Sequence, residues 1–156
     1  MKTRLKNKAH LIVLGVGLLN IALLPFGRLP LAKATKQAVG YPLFGLGMAL
    51  FLLSLLALKR GMGGEIEPVT ELVTNGIYAR LRHPMYVSFA ITMLALDFLF
   101  GSVLGILVTF VAFLPTMIWR AGLEEQALAQ HFGQAWKDYA ASVPSLLLWD
   151  FRKGRK

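Results

Sequence analysis

Arg82-His83-Pro84-Met85-Tyr86 sets a guanidinium, an imidazole and a phenol against the start of an apolar stretch, and about forty residues later Arg120 with Glu124-Glu125 sets a guanidinium and two carboxylates against the end of another. Ionisable groups placed against apolar spans are costly unless they are partnered or functional. Pro84 restrains His83 to an extended backbone and itself suits the first position of a helix. A helix is therefore expected to start at Pro84, with His83 at its N-terminus. Unpaired N–H groups and partial positive charge make such a start suitable for a carboxylate or phosphate, and Arg82 and His83 reinforce it. Arg120 and Glu124 are four residues apart, hence on one helix face. Two roles are open to them. As an exposed ion pair they would contribute about 0.3 to 0.5 kcal/mol. At a membrane boundary they could instead offer a carboxylate to a ribose hydroxyl or a cation, and a guanidinium to an anionic substrate.

The elements that must hold these residues are apolar helices. The chain has 156 residues, of which 56% are apolar, and a mean hydropathy of +0.58, which is a membrane-protein composition in a length suited to one domain. Apolar runs suggest four spans, at about 10–26, 40–58, 84–100 and 102–119. The last two are separated by little more than Gly101, so a tight antiparallel hairpin is expected, with one bent or re-entrant element as the alternative. The net charge of +9 could suggest nucleic acid, but the cations follow topology instead. With four spans, fourteen of the seventeen Lys and Arg share one side with both termini, against Arg28, Lys33 and Lys36 opposite. The positive-inside rule makes the richer side cytoplasmic. The basic start, the apolar run and Ala32-Lys33-Ala34 loosely resemble a cleaved secretory leader. Cleavage there would strand a basic loop or terminus on the wrong side, and a retained first span is expected. Zero cysteines exclude disulfides, thiolate metal ligands and a cysteine nucleophile.

Beyond the fourth span, Leu123, Leu128, Phe132, Tyr139 and Val143 recur near helical spacing. An amphipathic helix along the cytoplasmic surface is expected, anchored by Trp119, Trp136, Tyr139 and Trp149. Thr74-Asn75-Gly76 signals a turn returning the second loop to the membrane, and Gly61-Met62-Gly63-Gly64 reads as loop. Gly15-Val16-Gly17 and Gly45-Leu46-Gly47 are expected to permit helix contact. Asp97 is expected to reach the outer interface or cap the hairpin. His10 and His131 lack partners at metal-ligand spacing, and no metal site is expected.

Leu72-Val73-Thr74-Asn75-Gly76-Ile77-Tyr78, then Arg82-His83-Pro84-Met85-Tyr86, then Arg120-x3-Glu124-Glu125-x2-Leu128-x3-Phe132-Gly133-x5-Tyr139-x3-Val143-Pro144 together resemble the isoprenylcysteine carboxyl methyltransferase family and related phospholipid methyltransferases. The resemblance covers roughly residues 60 to 145. It implies an integral membrane enzyme using S-adenosyl-L-methionine, with cofactor contacts from Thr70, Glu71, Leu72, Val73, Tyr78, His83, Pro84, Met85, Tyr86 and Glu124. It also implies that Arg120 contacts and orients the substrate; a carboxylate acceptor needs no base, whereas an amine or thiol acceptor must lose a proton, for which His83 and Glu125 are the candidates. Tyr78 and Tyr86 could wall the adenine and sulfonium or serve as interfacial belt tyrosines. After Pro144 the chain departs from its relatives, reading Ser145-Leu146-Leu147-Leu148 where they often carry a basic residue and a later proline.

The expected activity is methyl transfer to a lipid-like or prenylated acceptor drawn from the bilayer, led by carboxyl O-methylation of an isoprenylcysteine-type acid. N-methylation of an aminophospholipid is the alternative within the class. A nicotinamide-dependent membrane reductase and a non-enzymatic membrane interaction protein are alternatives outside it. No nucleic acid partner is expected.

Overall fold

The computed structural model describes residues 2–61 and 71–146, with side chains from residues 8–58 and 71–146. Every regular element among them is helical, in agreement with the expected all-α class, apart from one isolated antiparallel bridge between Arg28 and Ser102. The helices are α1 (Lys2–Leu23), α2 (Lys33–Gly61), α3 (Pro84–Phe100), α4 (Val103–Val108), α5 (Leu114–Phe132) and α6 (Gln134–Ser142). A 3-10 turn, Gly76–Ala79, precedes α3, and a π-helical turn, Thr109–Phe113, joins α4 to α5. Two stretches, Lys33–Leu58 and Val103–Phe132, are long and apolar enough to cross a membrane, while Lys8–Leu23 and Pro84–Phe100 are apolar but shorter. Large apolar side chains such as Leu18, Leu52, Phe110 and Val111 point outward, the last 74% exposed. A surface of this kind suits lipid rather than water.

The long helix corrects one expectation. The fourth span and the amphipathic segment after it are not separate elements, because α4, the π turn and α5 run on without interruption through Trp119 to Phe132. Pro115 has no N–H and its ring crowds the carbonyl four residues back. The π turn just before it opens the ladder at that point, and the Thr116 hydroxyl donates to the Ala112 carbonyl at 2.7 Å. The break falls instead at Gly133, whose φ of +55° favours glycine, and the remaining amphipathic residues form α6. Trp149 lies outside the described residues.

Packing follows small side chains. α2 lies along α3, and α3 along the long helix, which α1 meets in turn. On α2, Gly40, Gly47 and Ser54 are buried at seven-residue spacing, facing Ser88 and Ala95 of α3 at the same spacing. A Cβ on Gly47 would collide with Thr92, whereas one on Gly45 would meet nothing within 4 Å. A Cβ on Gly17 would make only ordinary contact with Phe113, at 3.5 Å, and Gly15 faces open space. Of these four glycines, Gly47 is the one where a side chain would force two helices apart.

The α3–α4 hairpin is as tight as expected, with Gly101 at φ +68° ending α3 and the Ser102 hydroxyl accepting from the Gly105 N–H at 2.9 Å. Asp97 does not reach an interface. It is 0% exposed and accepts from Thr109 Oγ1 at 2.6 Å, while Asn20 Nδ2 of α1 donates to the same hydroxyl at 2.8 Å and to the Gly105 carbonyl at 2.9 Å. Glycine at 105 leaves room for the carboxylate, since a Cβ there would collide with it. One buried polar knot thus joins α1, α3 and α4.

Candidate functional site

The loop before α3 is pinned on both sides. Gly76, at φ +58°, lets the 3-10 turn lie against α2, where a Cβ would approach Ala57 to 3.3 Å. Further on, the Arg82 N–H donates to the Pro144 carbonyl at 2.9 Å and the His83 N–H to the Ser145 carbonyl at 3.1 Å. The segment after α6 is therefore strapped to the start of α3. Beneath the strap, Trp136, Tyr139 and Val143 form an apolar cluster with Leu72, Leu128 and Phe132. His83 occupies the N-cap position and Pro84 the first turn of α3, as the sequence indicated.

At this point the hairpin carries two glutamates of α5 to the histidine. The Tyr86 hydroxyl donates to Glu124 Oε2 at 2.6 Å, and the Tyr86 ring stacks on His83 with centroids 5.4 Å apart at 12°. His83 Nε2 lies 3.2 Å from Glu125 Oε1 and Nδ1 lies 3.9 Å from Glu124 Oε2. Glu125 also pairs with Arg82 Nη1 at 3.3 Å and accepts from the Ser145 hydroxyl at 2.7 Å. Arg82, 7% exposed, lies over the Trp136 ring at 5.9 Å. Glu125 sits beyond the apolar part of the helix. Burial would raise its pKa, but hydrogen bonds from His83 and Ser145 and the charge of Arg82 outweigh burial and hold it down to about 2. Burial, helped by Glu124, pushes the Tyr78 phenol up, and burial pushes Tyr139 up to about 12 against the opposing charge of Arg82. Both phenols stay protonated at neutral pH, and Tyr139 donates to the Tyr78 carbonyl at 2.7 Å.

A cavity of about 220 Å³ opens here, walled by Tyr78, His83, Met85, Tyr86 and Glu124 together with Arg82 and Phe89. Five of the expected contact residues thus meet around one space. Pro84 is buried behind it, Leu72 packs into the Trp136 cluster, and Glu71 and Val73 do not line it. Thr70 lies outside the described residues. Arg120 does not line the cavity and, among the described residues, makes no ion pair with Glu124. Phe89 escaped sequence reasoning, although it lies three residues after Tyr86 and so on the same face of α3. Ser145 escaped it too, since no local pattern relates it to Glu125.

Residues 35–135 match the family described as phospholipid methyltransferase. The chain is also similar, at 38% identity over 74 residues, to the protein-S-isoprenylcysteine O-methyltransferase of Schizosaccharomyces pombe. That match takes in 47% of this chain and 31% of the relative, so it spans less than a third of the relative's length. No solved structure matches the chain.

Proposed function

The chain belongs to the phospholipid methyltransferase family, and from that premise we propose S-adenosyl-L-methionine-dependent methyl transfer to a membrane-soluble acceptor, foremost carboxyl O-methylation of an isoprenylcysteine-type acid. The observation that supports it best is Glu124, whose carboxylate stands 40% exposed at the cavity wall with Oε2 fixed by Tyr86. Its other oxygen makes no hydrogen bond among the described residues, which leaves acceptor capacity for a ribose diol. The walls of Tyr78, Tyr86 and Phe89 suit an adenine and a sulfonium, so the residues present fit the cofactor. At about 220 Å³ the cavity is below the roughly 300 to 1,000 Å³ typical of pockets that enclose a whole ligand. It takes part of the cofactor, and Thr70, Glu71, Leu72 and Val73 remain proposed contacts for the rest.

The bound cofactor would supply an electrophilic methyl group. Catalysis by the chain is then chiefly alignment. Tyr86 holds Glu124, Glu125 and Ser145 hold His83, and Arg120 orients an anionic acceptor. A carboxylate acceptor needs no base, whereas an amine must lose a proton. Glu125, held down to about 2, is a poor proton acceptor near neutral pH, which leaves His83 for that role. The family match favours an aminophospholipid as the second reading.

The proposal extends to a single domain of four spans with both termini and the cavity cytoplasmic, and to residues 60–145 as the cofactor-binding segment. Calorimetric binding of S-adenosylmethionine and its demethylated product to the detergent-purified protein tests it. Saturable binding that is lost in folded Glu124→Ala and His83→Ala variants is expected, followed by methylation of a prenylated cysteine in preference to phosphatidylethanolamine. A folded wild type that binds neither nucleoside would overturn the methyltransferase reading.

A further inference from the structure

A second cavity, about 590 Å³, lies between the first turns of α2 and the last turn of α3, lined by Lys33, Lys36, Gln37, Tyr41, Leu99 and Phe100. It is at the opposite end of α3 from His83. The 17 residues of that helix, at about 1.5 Å each, separate the two ends by roughly 25 Å, so a headgroup held here is not the group methylated at the first site.

The charge around this cavity is unbalanced. Arg28, Lys33 and Lys36 gather at this end, yet no Asp or Glu occurs anywhere in residues 1–64. The facing α3–α4 hairpin contributes only Asp97, which is 0% exposed and bonded to Thr109. In the proposed orientation these are the three cations on the side where positive charge works against topology. The first turn of α2 adds N–H groups without helical acceptors, and it contains no acidic residue. The Lys36 side chain lies over Gly101 at the end of α3, where an added Cβ would lie 2.7 Å from Cε. The wall behind is held by the Leu29 N–H donating to the Gly101 carbonyl at 2.7 Å and the Val103 N–H to the Gly27 carbonyl at 2.6 Å.

The remaining lining is apolar and aromatic. Tyr41 and Phe100 are each 59% exposed beside Leu99. A free phosphate would use the lysines and leave that wall wet, whereas a phospholipid would use both. We propose that this cavity binds the headgroup phosphate of an anionic phospholipid, with Lys33, Lys36 and the first-turn amides of α2 on the phosphate and Tyr41, Leu99 and Phe100 along the glycerol and upper acyl chains.

Native mass spectrometry of the full chain in detergent, titrated with phosphatidylglycerol and with phosphatidylcholine, tests this. Phosphatidylglycerol should bind at least about tenfold more tightly, since two lysines near an anionic headgroup each contribute to attraction. The double variant Lys33→Gln/Lys36→Gln should lose the preference, Lys33→Arg/Lys36→Arg should keep it, and Lys137→Gln on α6 should not alter it. S-adenosylmethionine binding should be the same in all of them, which separates this site from the first and shows that the variants are folded. Equal binding of the two lipids by the wild type, or a preference that survives in the double Gln variant, would overturn the proposal. So would displacement of the lipid by an equal concentration of inorganic phosphate.

Discussion

Glu124 and Glu125 are adjacent in sequence, yet their side chains are 40% and 12% exposed and their partners differ. Consecutive helical residues point about 100° apart, so one carboxylate can border the cavity while the other turns into the strap. Glu124→Gln should therefore weaken S-adenosylmethionine binding by at least about tenfold, as loss of a charged hydrogen-bond acceptor does, with little change in unfolding temperature. Glu125→Gln should do the reverse. It removes the carboxylate that pairs with the buried Arg82 and with His83 and accepts from Ser145, so the unfolding temperature should fall. The pH dependence follows from the sign of the shift. The folded pKa of about 2 lies below the ordinary 4.5, so the stability Glu125 contributes is fully present above about pH 4.5 and is lost as pH falls towards 2. Denaturant titrations across that window should show a loss of stability in the wild type, of at most about 3 kcal/mol, that is reduced in Glu125→Gln. A slope unchanged by the substitution would remove Glu125 from this role. The motif around His83 was legible because the constraint of Pro84 is local. The bond from Ser145 to Glu125 was not, because it spans 20 residues and depends on the chain reversing at Gly133.

Helix positions were easier to anticipate than helix contacts. Apolar runs located a part of every long helix, with ends misplaced most at Lys2 and Phe132, and Gly101 correctly marked the hairpin, since a short apolar interruption has few conformations that reverse a chain. The run from Val103 to Phe132 was read as two elements because polarity changes at Arg120, but a change of solvent does not end a helix when backbone and propensity allow it to continue. Small residues were similarly ambiguous. Between apolar helices in lipid, close backbone approach replaces the hydrophobic effect as the source of adhesion. Sequence shows which residues are small without showing which face another helix. Gly47→Leu should push α2 from α3 at Thr92 and cost about 1 to 3 kcal/mol, whereas Gly45→Leu should change stability by no more than about 0.5 kcal/mol. Unfolding of the two variants in detergent decides between a specific α2–α3 seam and a general need for glycine. Equal destabilisation would discard the seam.

Across the whole molecule, the hairpin of α3 with the long helix separates two polar regions. Glu124, Glu125, His83 and Arg82 lie at one end, and the knot of Asp97, Thr109 and Asn20 ties α1 to the other. Hydropathy predicts that these helices are buried in lipid but does not say which are neighbours, so the placement of α1 against the long helix rather than α2 could not be read in advance. The buried knot and the end with Arg28, Lys33 and Lys36 should face away from the cytosol if four helices span. The absence of cysteine makes this directly testable, because a single introduced thiol is the only reactive one. Ala32→Cys, in the α1–α2 connection, should react with a membrane-impermeant maleimide added to intact cells. Lys137→Cys, on the exposed face of α6, should react only after the cytosolic side is opened. Labelling of both from one side would require an even number of crossings between residues 32 and 137 and would break the four-span arrangement. Exchange of the two patterns would invert it, moving the cavity at Tyr86 and Glu124 to the side without cytosolic cofactor.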